Sequence, residues 1–165
     1  MTTSEVYEYL ESLEKIDYML ENKLQEKEEL FTLATKTTQV LSHASGGGGK
    51  SDKVGNIAVK IAEIDKDIEK TIYMLLQFRK EVVDNLQKIE KAEEYEVLYL
   101  FFVSKKNANE ISEYLGAKKG KDAVSRQWVQ ELRTRGFKSL TSFLQPSELY
   151  RQIQKMTKPI YNTCQ

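Results

Sequence analysis

The feature that most constrains the fold is the absence of proline from the first 145 residues. The two prolines of the chain, Pro146 and Pro159, both lie near its C-terminus. Because proline interrupts the hydrogen-bond ladder of a helix interior, a chain without it can form very long uninterrupted helices. This distribution favours an all-α fold built on long helices.

Apolar residues recur on alternating four- and three-residue steps in two long segments. Residues 4–35 have this seam at Val6, Leu10, Leu13, Leu20, Leu24 and Phe31. Residues 53–90 have it at Val54, Ile57, Ile61, Ile64, Ile68, Leu75, Phe78, Val82 and Ile89. This period predicts amphipathic helices with a coiled-coil seam, and their matched lengths favour a long antiparallel coiled-coil hairpin. A parallel coiled-coil dimer remains an alternative.

Four consecutive glycines, residues 46–49, separate the two heptad segments. Because a glycine run is costly in a helix, we expect a flexible, glycine-rich tip over residues 42–52. The sequence from Ala44 to Ser51 nearly matches a phosphate-binding loop, with alanine in place of the first glycine. That loop needs a buried strand before it, and residues 35–43 do not form one. An interhelical tip is therefore favoured over nucleotide binding.

The residue types that support catalysis or metal binding are scarce. His43 is the single histidine and Cys164 the single cysteine, so neither a zinc site nor a histidine-based triad can be assembled within one chain. We therefore expect no enzymatic activity, no cofactor and no metal. The N-terminus lacks a signal pattern, no apolar run is long enough to span a membrane, and one cysteine fits a reducing compartment. These features predict a cytoplasmic protein.

Charge is distributed unevenly along the chain, although its net charge is zero. Residues 1–90 carry 12 Lys or Arg and 17 Asp or Glu, whereas residues 91–165 carry 13 and 8. A basic segment on an acidic support is common among nucleic-acid-binding proteins. The C-terminal part of the chain is therefore the place to look for a DNA-binding motif.

Short helical pieces replace the heptads after residue 93. One helix, expected to end near residues 104–106, is marked by Tyr95, Leu98, Leu100, Phe101 and Phe102. Asn107 is a suitable N-cap for a second helix, which Gly116 is expected to end. A third helix follows a lysine-rich connection and is expected to end at Gly136. This succession of a short helix, a turn and a helix with one polar and one apolar face is typical of a helix-turn-helix motif.

The polar face of the third helix carries residue types that read DNA. Arginine binds guanine and glutamine binds adenine through paired hydrogen bonds in the major groove. The residues predicted to face bases are Ser125, Arg126, Gln127, Gln130 and Arg133. The lysines predicted to contact phosphates are Lys118, Lys119, Lys121 and Lys138. Trp128, Val129 and Leu132 are expected to belong to the core, and a generic helical bundle with a basic surface is the alternative to DNA binding.

The succession of elements resembles a family of small phage and prophage proteins of Gram-positive bacteria. The resemblance rests on the two heptad segments, on Leu33-Ala34-Thr35 with Thr37-Thr38, on the glycine run and on Asp52-Lys53-Val54-Gly55. In that family a helical hairpin precedes a domain similar to region 4 of bacterial sigma factors, in a layout related to the ArpU and RinA types of late-gene activator. The resemblance implies a phage transcriptional regulator.

The matching helix-turn-helix positions are few. Glu110-Ile111 and Leu115-Gly116 match the first helix of the family's motif, and Ser125-Arg126, Val129 and Leu132 match its recognition helix. Two departures bear on the base-contacting set. Phe101 stands where the family usually has arginine, and residues 118–122 lengthen the turn by about five residues, which changes where the recognition helix lies.

Together these features predict three parts and one main function. Residues 1–90 form the hairpin, residues 91–145 a helix-turn-helix domain, and residues 146–165 a short C-terminal helix and tail. The function expected is sequence-specific binding of double-stranded DNA by a dimeric regulator of phage transcription in the bacterial host, with RNA polymerase as a further partner. The alternatives are a protein-interaction module, such as an antirepressor or inhibitor, and a DNA-packaging accessory similar to a small terminase.

Overall fold

The computed structural model describes the backbone of residues 1–43 and 51–161 and the side chains of residues 1–36 and 55–157. All regular elements in these ranges are helical, which confirms the expected all-α class. They are α1 (Thr3–His43), α2 (Ser51–Leu86), α3 (Ala92–Leu98), α4 (Ala108–Lys118), α5 (Arg126–Thr141) and α6 (Glu148–Tyr161). A π-helical segment, Tyr99–Val103, continues α3. Within the same residues, none of the helices is long and apolar enough to cross a membrane.

Several predicted helix ends are wrong. Helix α1 continues past Thr35 to His43, because an established helix adds residues readily even at threonine, whose hydroxyl bonds back to the Phe31 carbonyl at 2.9 Å. Helix α2 ends at Leu86 rather than at residue 90. Gly116 and Gly136 both lie inside helices, in α4 and α5, rather than ending them. The glycine run and the core of the predicted tip fall at residues 44–50, outside the described residues.

Contacts group the chain into two compact units. One unit consists of Met1–Lys15 with Leu75–Gln165, and the other of Ile16–Met74. The first unit is called the C-terminal unit below and the second the two-helix unit. The domain boundaries expected at residues 90 and 145 stay predictions.

The two-helix unit contains α1 from Ile16 to its end and α2 from its start to Met74. Lys23 of α1 bonds Asp67 of α2 at 2.9 Å, and Lys27 pairs with Asp65. The later residue of α1 thus pairs with the earlier residue of α2, so the two helices run in opposite directions at these pairs. The Lys23 ammonium holds the pKa of the Asp67 carboxyl below its usual value. Among the described side chains of this unit, the buried apolar ones are Ile16, Met19, Ile68 and Met74.

In the C-terminal unit, an aromatic cluster joins the start of α1 to the end of α2 and to α6. The ring of Tyr9 meets those of Phe78 and Tyr150 edge-on, each at 5.1 Å between centroids. The Tyr9 hydroxyl donates to Glu81 Oε1 and accepts from Asn85 Nδ2, both at 3.0 Å. Burial raises the pKa of Tyr150 to about 12 and raises that of Tyr9 still further.

A second core in the same unit holds α3, the π-helical segment, α4 and α5 together. Its buried members are Val97, Leu100, Ile111, Leu115, Val129 and Leu132. Glu94 of α3 is buried beside it, where its carboxylate accepts from Ser139 Oγ of α5 at 2.7 Å and pairs with Lys91 at 3.2 Å. Gly136 lets α3 and α5 approach closely, since a Cβ there would lie 2.8 Å from Leu98 Cδ1. This helical unit positions the candidate site.

Candidate nucleic-acid interface

Helix α4 begins at a complete capping box, which confirms the predicted N-cap. Asn107 Oδ1 accepts from the amides of Asn109 and Glu110 at 2.9 and 3.1 Å. Glu110 Oε2 accepts in return from the Asn107 amide at 2.7 Å. These three bonds satisfy donors that the first turn of a helix otherwise leaves open, so the start of α4 is fixed.

The turn between α4 and α5 is held against α4 by backbone contacts. The Val124 amide donates to the Ser112 carbonyl at 3.0 Å, and the Ser112 hydroxyl donates to the Val124 carbonyl. A Cβ on Gly116 would lie only 2.4 Å from Ala123 Cα, so only glycine allows the turn to cross α4 here. Gly120 supplies the positive φ of 67° after α4 ends at Lys118. The turn therefore fixes how α5 leaves α4.

Helix α5 has a capped start, one buried side and one exposed side. Ser125 Oγ accepts from the Trp128 amide at 3.1 Å, which makes Ser125 the N-cap. Val129 and Leu132 are buried in the second core, as predicted. Trp128 is half-buried and packs against that core. The helix thus presents the opposite side of its first turns to solvent.

The residues predicted to face bases lie in two environments. Ser125, Arg126 and Gln127 are exposed around the first turn of α5. Gln130, one turn further on, is half-buried. These four residues are therefore together at the start of α5, with the first three accessible.

Arg133 lies instead in an aromatic cluster that the sequence did not indicate. Its guanidinium carbon is 5.0 Å from the ring centroid of Phe101 and 6.0 Å from that of Phe137. Arg133 Nε is buried and has no hydrogen-bond partner among the described residues. Tyr7 and Phe102 complete the cluster, each with its ring about 6 Å from that of Phe137. Arg133 is thus placed to hold α5 against the π-helical segment by cation–π contact.

Two of the predicted phosphate lysines are already paired with carboxylates of α3. Lys118 Nζ bonds both Glu96 oxygens at 2.7 and 2.9 Å, and this hydrogen bonding raises the Lys118 pKa. Lys119 Nζ bonds Glu93 Oε1 at 2.8 Å and also lies 4.0 Å from the ring centroid of Trp128. Both pairs are exposed, so a phosphate can compete for these lysines. Glu96 and Glu93 lie 22 and 26 residues before these lysines, and nothing in the sequence indicated the two pairings.

The other two lysines lie at opposite ends of α5. Lys138 is exposed in its last turn, twelve residues or about 18 Å beyond Arg126. Lys121 is exposed in the turn before α5. An open cleft of about 380 Å³ at that end is lined by Lys119, Lys121, Ala123, Val124, Ser125 and Trp128. The cleft places two cations beside the first turn of α5.

Comparison of the chain with protein-family models, with curated proteins and with solved structures finds no match. The described residues contain no group of three or more His, Cys, Asp or Glu side chains that could hold a metal ion. The resemblance to phage regulators stays a prediction.

Proposed function

We propose that the chain is a sequence-specific DNA-binding regulator of phage transcription that reads the major groove with the first turns of α5. The observation that carries the proposal is the start of this helix. There Ser125 caps the helix while Arg126 and Gln127 project into solvent. A rigidly held helix start with exposed arginine and glutamine is the arrangement by which helix-turn-helix proteins contact base edges.

The surroundings of α5 support this proposal. Val129 and Leu132 anchor the helix in a core shared with α3 and α4, so the exposed side chains start from a fixed position. Lys119 and Lys121 line the cleft at the same end, where they can contact the DNA backbone and set the register of the helix. Arg126 is the residue we assign to guanine and Gln127 the one we assign to adenine. Arg133 has a positioning role through Phe101.

The two long helices are proposed to form an antiparallel hairpin that supplies dimerisation or a surface for RNA polymerase. The pairs of Lys23 with Asp67 and of Lys27 with Asp65 support the opposite directions of α1 and α2. A dimer would place two copies of α5 on half-sites about one helical turn of DNA apart. A strict monomer that still binds one site tightly would contradict this geometry.

The proposal is tested by reversing a charge at the start of α5. We expect Arg126→Glu to weaken binding to a selected DNA site by about tenfold to a hundredfold, measured by fluorescence anisotropy, because a paired arginine–guanine contact contributes about 1–3 kcal/mol. Arg151→Glu is the matched control, since Arg151 is exposed on α6 and pairs with Glu148. Equal affinity of both variants would contradict the proposal.

A protein-interaction module is the second candidate. Lys118 and Lys119 are paired with Glu96 and Glu93, which lowers the positive charge available to DNA. If Arg126→Glu keeps biological activity while DNA binding is undetectable, the partner of this surface is a protein and not DNA.

A further inference from the structure

The two-helix unit contains a long stretch without a core. Over residues 20–36 of α1 and 55–67 of α2, no side chain is buried. Two residues of the predicted heptad seam, Leu24 and Phe31, are 49% and 51% exposed. Seven residues make two helical turns, so these two side chains lie on the same face of α1. The heptad pattern predicts that these seam residues are buried between helices, whereas the structure leaves them half exposed.

The contacts observed in this stretch do not explain why such apolar residues lie there. The pairs of Lys23 with Asp67 and of Lys27 with Asp65 are partly exposed, and exposed ion pairs contribute little to stability. Leu20 on α1 and Ile57, Ile61 and Ile64 on α2 are only half-buried. Because most helical stability in proteins comes from packing an apolar face, these residues indicate a surface that is covered in the functional state.

We propose that a second copy of the chain covers this surface, so that the two-helix units of two copies pack as four helices. The surface, called the open seam below, is formed by Leu20, Leu24 and Phe31 of α1 with Ile57, Ile61 and Ile64 of α2. The same heptad period on both helices lets identical faces interdigitate, as the two-fold contact of a homodimer requires.

The charge of the two-helix unit favours a second copy over a nucleic acid. Residues 16–74 carry 8 Lys or Arg and 10 Asp or Glu. This near balance attracts no polyanion and leaves little repulsion between two copies. A mixed-sign surface around an apolar stripe is typical of helices that pair with one another.

The size of the open seam indicates a weak association. From residue 20 to residue 36, α1 rises about 24 Å, and two packed helices are about 20 Å across. The face therefore measures about 500 Å² per copy, which is less than the roughly 800 Å² per partner of a standard stable interface. We expect a dimer that dissociates on dilution, with a dissociation constant on the order of micromolar.

Sedimentation equilibrium of the full chain over a wide concentration range tests this proposal. Wild-type protein should shift from monomer to dimer, and Phe31→Glu should raise the dissociation constant about tenfold or more. Tyr73→Glu is the matched control, because Tyr73 is 66% exposed and lies about 200° around α2 from the buried Thr71. The control should dimerise as the wild type does.

Hydrogen exchange of the wild type gives a readout that does not depend on a variant being folded. Amides of residues 20–36 should gain protection as the concentration rises through the dimer transition. A wild type that stays monomeric, a protection pattern independent of concentration, or equal weakening by Phe31→Glu and Tyr73→Glu would each overturn the proposal. Arg126→Glu should dimerise normally, so failure of this inference and failure of DNA binding are separable.

Discussion

Replacing Gly116 by alanine should destabilise the C-terminal unit, although alanine is the better helix former. The added Cβ would lie 2.4 Å from Ala123 Cα and within 2.8 Å of the Ala123 nitrogen and carbonyl carbon. These are backbone atoms, so the turn between α4 and α5 must shift as a whole. Overpacking of this kind costs about 1–3 kcal/mol or more, against a helix-propensity gain of about 1 kcal/mol. Because the contact at 2.4 Å is with backbone, the cost lies at the upper end of that range, and we expect a net loss of about 2 kcal/mol.

The assay for Gly116→Ala is urea unfolding followed by the fluorescence of Trp128, the single tryptophan, which packs against the core beside this turn. Gly55→Ala is the matched control, because Gly55 lies inside α2 with nothing within 4 Å of the added Cβ. The control should stabilise the protein by about 0.5–1 kcal/mol, measured by far-UV circular dichroism. A Gly116→Ala variant stabilised to the same extent would refute the close crossing of α4 by the turn.

Three further predictions concern caps, buried charge and pH. Asn107→Ala removes the capping box and should lower the free energy of unfolding by about 1–2 kcal/mol in urea titrations. Ser139→Ala should lower it by about 1–3 kcal/mol, because buried Glu94 loses its 2.7 Å donor; an unchanged urea midpoint would show that the bond contributes nothing. The pKa of Tyr150 is raised to about 12 in the folded state. Its contribution to the free energy of unfolding is therefore complete below pH about 10, and it is lost as the pH rises from about 10 to about 12. Tyr150→Phe should make that alkaline decline shallower without abolishing it, because buried Tyr9 contributes to it as well; an unchanged decline in the variant would exclude Tyr150 as one of its sources.

Local signals in the sequence predicted the start of α4 and part of the core around α5. Asn107 caps α4 because an amide oxygen satisfies free helix donors wherever it occurs, and no distant residue is needed. Val129 and Leu132 are buried because a helix with one apolar stripe packs that stripe inward. The all-α class followed from the same local patterning and from the distribution of proline.

The helix ends predicted at the two glycines are wrong for the same reason. The local pattern predicts helix ends at Gly116 and Gly136, but each glycine lies inside a helix and allows another segment to approach it. That segment is the turn at Ala123 for Gly116 and Leu98 for Gly136. A local pattern contains no information on such tertiary approaches. The open seam is the opposite case, where Leu24 and Phe31 follow the heptad but remain half exposed.

Some residues predicted to contact DNA have other partners in the structure, because their charged groups bind aromatic rings or carboxylates. The sequence pattern places Arg133 on the polar stripe of α5, yet its guanidinium packs over the ring of Phe101. Lys118 and Lys119 pair with glutamates of α3 more than twenty residues away. Pairings across that separation depend on the fold, so the sequence could give the basic composition but not the available charge.

The most direct test of DNA recognition by α5 is selection of fragmented phage genomic DNA across a salt series, with sequencing of the recovered fragments. We expect a focused set of sites, with a DNA affinity that falls steeply as the salt concentration rises. Four phosphate contacts, by Lys118, Lys119, Lys121 and Lys138, would give a slope of about −4 for log affinity against log salt. No enrichment of any fragment at any salt concentration would contradict the proposed function and direct the search to protein partners.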